Sequence, residues 1–230
     1  MKQFDLDDLV TGKRLTSADQ HLLAGQGWRR LGEPRFLHSP LAYAAFELRC
    51  AIERCLFEFL WLTQNRNLTK ADHNVASNVS KLVKELLKRH GGENALLRKM
   101  SFARVFAEAT GVPRNDRPAV FDLKALEKQW NQLSEFCHRQ LEPMKTWEAM
   151  GDAWVRRGYE LLSEVETHLW GIVVESKLGW VDHSSLPVEM VTAREAYIAG
   201  DIDDNALKTR MDLMTPVFLM RSGKALLLSS

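Results

Sequence analysis

The chain has 230 residues, 45% of them apolar and 27% charged, with a formal net charge of +1. Such a length supports a sizeable core, in one generous domain or a smaller domain with an appendage. The near-neutral balance excludes the uniformly basic signature of a non-specific nucleic-acid binder, although it leaves room for a local patch.

No run approaches the ~18 apolar residues that a membrane span requires, so no membrane partner is expected. The opening MKQFDLDDLVTGKRL has no apolar stretch of the secretory kind. Three cysteines, Cys50, Cys55 and Cys137, are odd in number and lie outside metal-ligand spacing. They read as reduced core thiols of a cytoplasmic protein, in which the sequons at Asn67 and Asn78 carry no meaning.

Residues 1–39 read as an irregular or partly helical lead-in. Thr16-Ser17 with Asp19-Gln20 starts a short helix through His21–Leu23, and Gly25, Gly27, Gly32 and Pro34 are expected to break it. The GQGWRRLG run lacks the spacing and the preceding strand of a dinucleotide site. Trp28 and Phe36 are expected to pin the segment to the body.

Pro40–Trp61, PLAYAAFELRCAIERCLFEFLW, is the clearest amphipathic helix. At 100° per residue, Leu56, Leu60, Ala45, Ala42, Ile52 and Phe46 cluster around Arg49, and Glu53 falls among them. The solvent face is then Glu47, Arg54 and Glu58. A charged pair inside an apolar arc must be paired or placed at a site, because an unpaired buried charge costs several kcal/mol.

A polar loop at residues 65–70 leads to a second helix, about 72–90, with Val79, Leu82, Val83, Leu86 and Leu87 as its stripe. His90-Gly91-Gly92 stops it. A third helix, about 94–110, carries Leu97, Met100, Phe102, Val105 and Phe106, and Gly111-Val112-Pro113 ends it. A fourth runs from about Asp122, a plausible cap, to Leu141, with Pro143 closing the segment. The fifth and longest, about 146–178, places Trp147, Met150, Trp154, Leu161, Val165, Leu169 and Ile172 along one side. After a hinge at 180–187, a helical hairpin over 187–221 turns at Gly200. It is too small to bury its own apolar face, so it must dock on the bundle or on another copy. Apolar periodicity is helical throughout. The expected fold is all-α: a lead-in over 1–39, an antiparallel bundle of about five main helices over 40–180, and a C-terminal helical hairpin over 187–221.

No metalloprotease, hydrolase, phosphate-loop or calcium-loop signature is present, and no histidines stand at metal-binding spacing, so no cofactor or metal is expected. On the fourth helix, Leu123, Leu126, Leu133, Cys137 and Leu141 make a narrow stripe around Trp130. Asn131, Ser134 and His138 line one edge at i, i+3 and i+7, with Arg139 on the solvent side. Such a strip is either cross-helix hydrogen bonding or the wall of a site in which the imidazole serves as acid or base.

YAAFELRCAIERCLFEFL at 43–60, followed by WNQLSEFCH at 130–138, resembles the divergent HEPN-type helical bundles of prokaryotic antiviral-defence and toxin–antitoxin systems, over about residues 41–180. The first long helix of such bundles often has an Arg-x3-Glu pair, matched here by Arg49 and Glu53. The resemblance implies a metal-independent endoribonuclease or RNA-binding protein that acts as a homodimer, two copies of an Arg-x4–6-His motif meeting at a cleft. Only His138 matches that motif. Residues 129–133 contain no arginine, so Asn131 supplies at most a polar group, and Arg49 is the candidate for the missing charge. The alternative is a non-catalytic interaction module, an immunity, scaffold or regulatory subunit, with Arg49–Glu53 as a structural ion pair.

Between Lys81 and Arg117, nine Lys or Arg face four Asp or Glu. Lys81, Lys84 and Lys88 share one helix face, which reads either as an RNA contact or as an ordinary solvated face. In the tail, Tyr197, Ile198, Ile202 and Leu207 resemble the apolar contact of short C-terminal hairpins on oligomerising bacterial proteins.

Overall fold

The structure is a computed structural model that describes residues 17–64, 67–138, 144–181 and 186–221, side chains excepted at 138, 144–152 and 215–221. The protein is all-α. Among the described residues are nine α-helices, two short 3-10 turns and no strand: α1 (Ala18–Gly32), α2 (His38–Thr63), α3 (Lys70–Ala76), α4 (Val79–His90), α5 (Glu93–Ala109), α6 (Leu123–His138), α7 (Met144–Val173), α8 (Val188–Ala199) and α9 (Asp204–Arg221). None is long and apolar enough to cross a membrane. The helices fall into two compact units. The first takes the described residues up to Cys55 and Leu126–Trp170, and the second takes Leu56–Ala125 and the described residues from Gly171 on.

In the first unit, α1 starts at Ser17, whose backbone N–H donates to Gln20 Oε1 at 3.1 Å, an N-cap arrangement. The expected break at Gly25 and Gly27 does not occur, and α1 continues to Gly32. Packing explains the difference. A Cβ at Gly25 would lie 2.9 Å from Leu48 Cδ2, and one at Gly32 would lie 2.5 Å from Pro40 Cβ. These glycines are where α1 approaches α2 closely, and the contact offsets the ~1 kcal/mol that glycine costs a helix. The core of this unit includes Leu22, Leu48, Ile52, Leu133, Phe136, Tyr159, Leu162 and Leu169. Phe36 anchors the lead-in as expected, edge-on to Tyr159 with Arg156 4.2 Å over its ring. Trp28, by contrast, is exposed and tilts against Tyr43.

In the second unit, the helix expected over 72–90 is split. Thr69 caps α3, accepting from Asp72 N, and Asn78 in an extended conformation caps α4, accepting from Lys81 N at 2.9 Å. An Asn that satisfies an N-terminal N–H competes with helix continuation at that point. Gly91, at φ +85, then ends α4. Helix α7 stops at Val173 rather than near 178. The backbone of Lys177 instead pairs with residues 117–119, Ala119 N donating to Lys177 O at 2.8 Å and Lys177 N to Arg117 O at 3.0 Å. The C-terminal hairpin docks on α5: Met190, Ala193, Tyr197, Leu207 and Met211 close over Phe102. Each of the larger apolar side chains, such as Met190, Leu207 and Met211, contributes about 1.5–3 kcal/mol on burial.

Candidate functional site

Helix α2 decides where Arg49 points. Its buried positions, among them Leu41, Ala44, Ala45, Leu48, Ala51, Ile52, Cys55, Leu56 and Phe59, span roughly half the helix circumference. Arg49 therefore sits at one edge of the arc rather than at its centre. Phe46, expected in the core, is 53% exposed, and Glu47, Arg54 and Glu58, expected in solvent, are half-buried. The side chain of Arg49 is 15% exposed and that of Glu53 is 47% exposed. Arg49 is inside, and Glu53 is at the surface.

Three side chains meet there. The Arg49 guanidinium carbon lies 4.3 Å from the centre of the Trp130 ring on α6. The indole N–H of Trp130 donates to Glu53 Oε1 at 2.8 Å, and Arg49 Nη2 stands 3.9 Å from the same oxygen. Arg49 also hydrogen-bonds the Cys137 thiol, which lowers that thiol's pKa but does not offset the effect of burial, which raises it. The neighbouring Cys50 is pushed up to about 11 by burial and by the carboxylates of Glu53 and Glu47. Both thiols are protonated at neutral pH and are poor nucleophiles.

The polar strip on α6 turns back on its own helix. Asn131 is exposed and donates to Glu127 O at 3.0 Å, and Ser134 donates to Trp130 O at 2.9 Å. His138 ends α6, and its side chain lies outside the described residues, as does Arg139. Lys81, Lys84 and Lys88 are exposed along one face of α4, in the second unit, whereas Arg49, Asn131 and Ser134 belong to the first.

Among the described residues of the first unit, the best-buried ion pair is one that no sequence spacing announces. Arg29 Nε donates to Glu166 Oε2 at 2.7 Å, with the two side chains 15% and 11% exposed. Gln26 adds a bond to Glu166 Oε1, and Glu33 also accepts from Arg29. The hydrogen bond with Glu166 raises the Arg29 pKa. The partners are 137 residues apart, so no local spacing links them.

An open groove of about 330 Å³ runs along α6 and α7, floored by Phe136 and Leu161 and rimmed by Glu135, Arg157, Glu160 and Glu164. Arg49, Asn131 and Ser134 are not among its walls. Among the described residues, no three His, Cys, Asp or Glu side chains are grouped so as to hold a metal ion. The chain matches no protein-family model, no curated protein and no solved structure.

Proposed function

We propose that this protein is a non-cleaving helical module of the HEPN-like type that acts through contacts with protein. The observation that carries this reading is the engagement of Arg49, the candidate for the missing catalytic charge, with Trp130 at 4.3 Å and with Cys137. Metal-independent cleavage of a phosphodiester needs a fixed cation facing the reacting phosphate and a group that moves a proton. A guanidinium stacked on an indole at a helix–helix contact serves packing first. Asn131 and Ser134, each bonded to its own helix, add no converging donor.

The test is an RNA cleavage and binding assay on the wild type, Arg49→Ala and His138→Ala, with helicity followed by circular dichroism. The expected result is no cleavage by any of them and a lowered melting temperature for Arg49→Ala. Cleavage by the wild type that is lost in both variants with helicity unchanged would replace this reading with the ribonuclease.

RNA binding without cleavage is the second reading, favoured by the exposed row Lys81, Lys84 and Lys88. It predicts an affinity that falls with salt, with a slope reduced by about one for each lysine removed.

A further inference from the structure

The outward face of α1 is apolar where a solvent face is polar in most surface helices. Leu23, Gly27 and Leu31 follow at i, i+4 and i+8, with Ala24 and Trp28 beside them, and all five are exposed. Leu31 is 61% exposed. The Trp28 ring lies 5.0 Å from that of Tyr43, which carries the surface onto α2, where Tyr43 and Phe46 are exposed one turn apart. At Gly27 a Cβ would meet nothing within 4 Å, which leaves a flat spot in the middle of the stripe. The opposite side of α1 is already packed through Leu22 and Gly25. A helix that is apolar on both sides is one that is covered on both sides.

We propose that this face is the contact between two copies of this chain, α1 of one lying antiparallel on α1 of the other. The charges select this occupant. Asp19 in the first turn and Arg30 in the last are both exposed, and at 100° per residue they fall on the same edge of the stripe. In a two-fold pair the same edge of each helix meets its counterpart running in the opposite direction. Each Asp19 is thereby set toward the Arg30 end of the other copy. Ala24 and Gly27 let the two backbones approach, and Trp28, Tyr43 and Phe46 supply the aromatic anchors that dominate such interfaces. The proposal names the partner of the interaction module above and rests on that reading.

Sedimentation equilibrium of the full chain tests it, against a monomer of 26.3 kDa. The wild type is expected to give the mass of a dimer, and Leu31→Glu that of a monomer. Asp19→Arg and Arg30→Asp each weaken association about tenfold, and the double reversal recovers most of the loss. Circular dichroism at these exposed positions is expected to be unchanged. A monomeric wild type, or a dimer untouched by Leu31→Glu and by both single reversals, overturns the proposal. The RNA assay on the same samples keeps the two readings apart. A dimer that cleaves RNA overturns the interaction module and leaves the face standing, whereas a monomer that does not cleave overturns the face alone.

Discussion

The guanidinium of Arg49 and the indole of Trp130 form a stacked pair at 4.3 Å, and the N–H of the same indole is held by Glu53 at 2.8 Å. The ring stands at the meeting of cation and carboxylate, which explains why Arg49 and Glu53 approach no closer than 3.9 Å although they are one turn apart. A partly desolvated cation over an aromatic face is worth about 1–2 kcal/mol. Arg49→Ala is expected to lower the unfolding free energy by that amount. Arg49→Lys recovers less than half, because a compact ammonium lacks the planar stack. Urea titration followed by tryptophan fluorescence measures both, and an Arg49→Ala midpoint equal to the wild type's would show the stack to be energetically idle.

The glycines of the long helices predict opposite outcomes. At Gly32 a methyl group would stand 2.1 Å from the Tyr159 hydroxyl, which donates to Leu37 O at 2.6 Å. At Gly171 it would meet nothing within 4 Å. Gly32→Ala is expected to cost about 2–3 kcal/mol, through the clash and the displaced hydroxyl. Gly171→Ala is expected to stabilise by ~0.5–1 kcal/mol, by narrowing the unfolded ensemble. Thermal melts of the two variants should move in opposite directions.

Acid should weaken the protein in two successive windows. His90 is buried against Trp180, at 4.9 Å, and faces Lys99, Arg89 and Arg194. Burial first, and these cations second, depress its pKa from 6.5 to about 4. Between those values the unfolded chain binds the extra proton, so stability declines as pH falls from about 6.5 toward 4, by on the order of 3 kcal/mol, and is insensitive to His90 above that range. Asp72 covers the lower window. Hydrogen bonds from Thr69, then the Arg89 guanidinium, hold its carboxyl at about 2 against an ordinary 3.8, so its contribution is lost only as pH falls between those values. Melting curves against pH should lose the upper slope in His90→Gln and keep it in Asp72→Asn.

The C-terminal hairpin is tied to α5 by polar contacts as well as apolar ones: Lys208 Nζ donates to Glu108 Oε1 at 2.8 Å, and Arg98 holds the end of α8. Arg98 Nη1 donates to Tyr197 O at 2.6 Å, in the last turn of α8, and its guanidinium carbon lies 5.2 Å from the Tyr197 ring. A cation there also complements the negative end of the helix. Arg98→Ala should therefore raise hydrogen exchange of the α8 amides about fivefold or more, equivalent to ~1 kcal/mol of local stability. The amides of α1 should be unchanged, and equal acceleration in α1 and α8 would mean that the loss is global.

Much of the architecture was legible because many helices carry their own signals: the start at Ser17, the glycine stops at Gly91 and Gly200, and the apolar stripes of α4 and α6, whereas the cap at Asn78 was read through as continuous helix. The face of α2 was not. Half of its circumference is buried, so apolar content alone does not locate its centre, and taking Arg49 as the centre moved Phe46 inward and Glu47 outward. Gly25 and Gly27 read as breakers because the residue that fills the space above Gly25, Leu48, is distant in sequence. The same holds for the chemistry. Arg29 and Glu166, and Trp130 with Arg49 and Glu53, come together only through tertiary packing, so spacing within one helix could not pair them. The edge line Asn131–Ser134 was correctly placed on one helix, but a wheel does not show that both side chains bond back to it.

The first unit is assembled from two stretches of chain, one ending at Cys55 and the other beginning at Leu126 and ending at Trp170. On the ribosome, Leu41, Leu48 and Ile52 therefore emerge long before Leu133, Tyr159 and Leu162. At ordinary synthesis rates the delay is roughly ten seconds. For that interval α2 has only α1 from its own unit to pack on, and the rest of its apolar face stays uncovered, the form of exposure that recruits holding chaperones and invites aggregation.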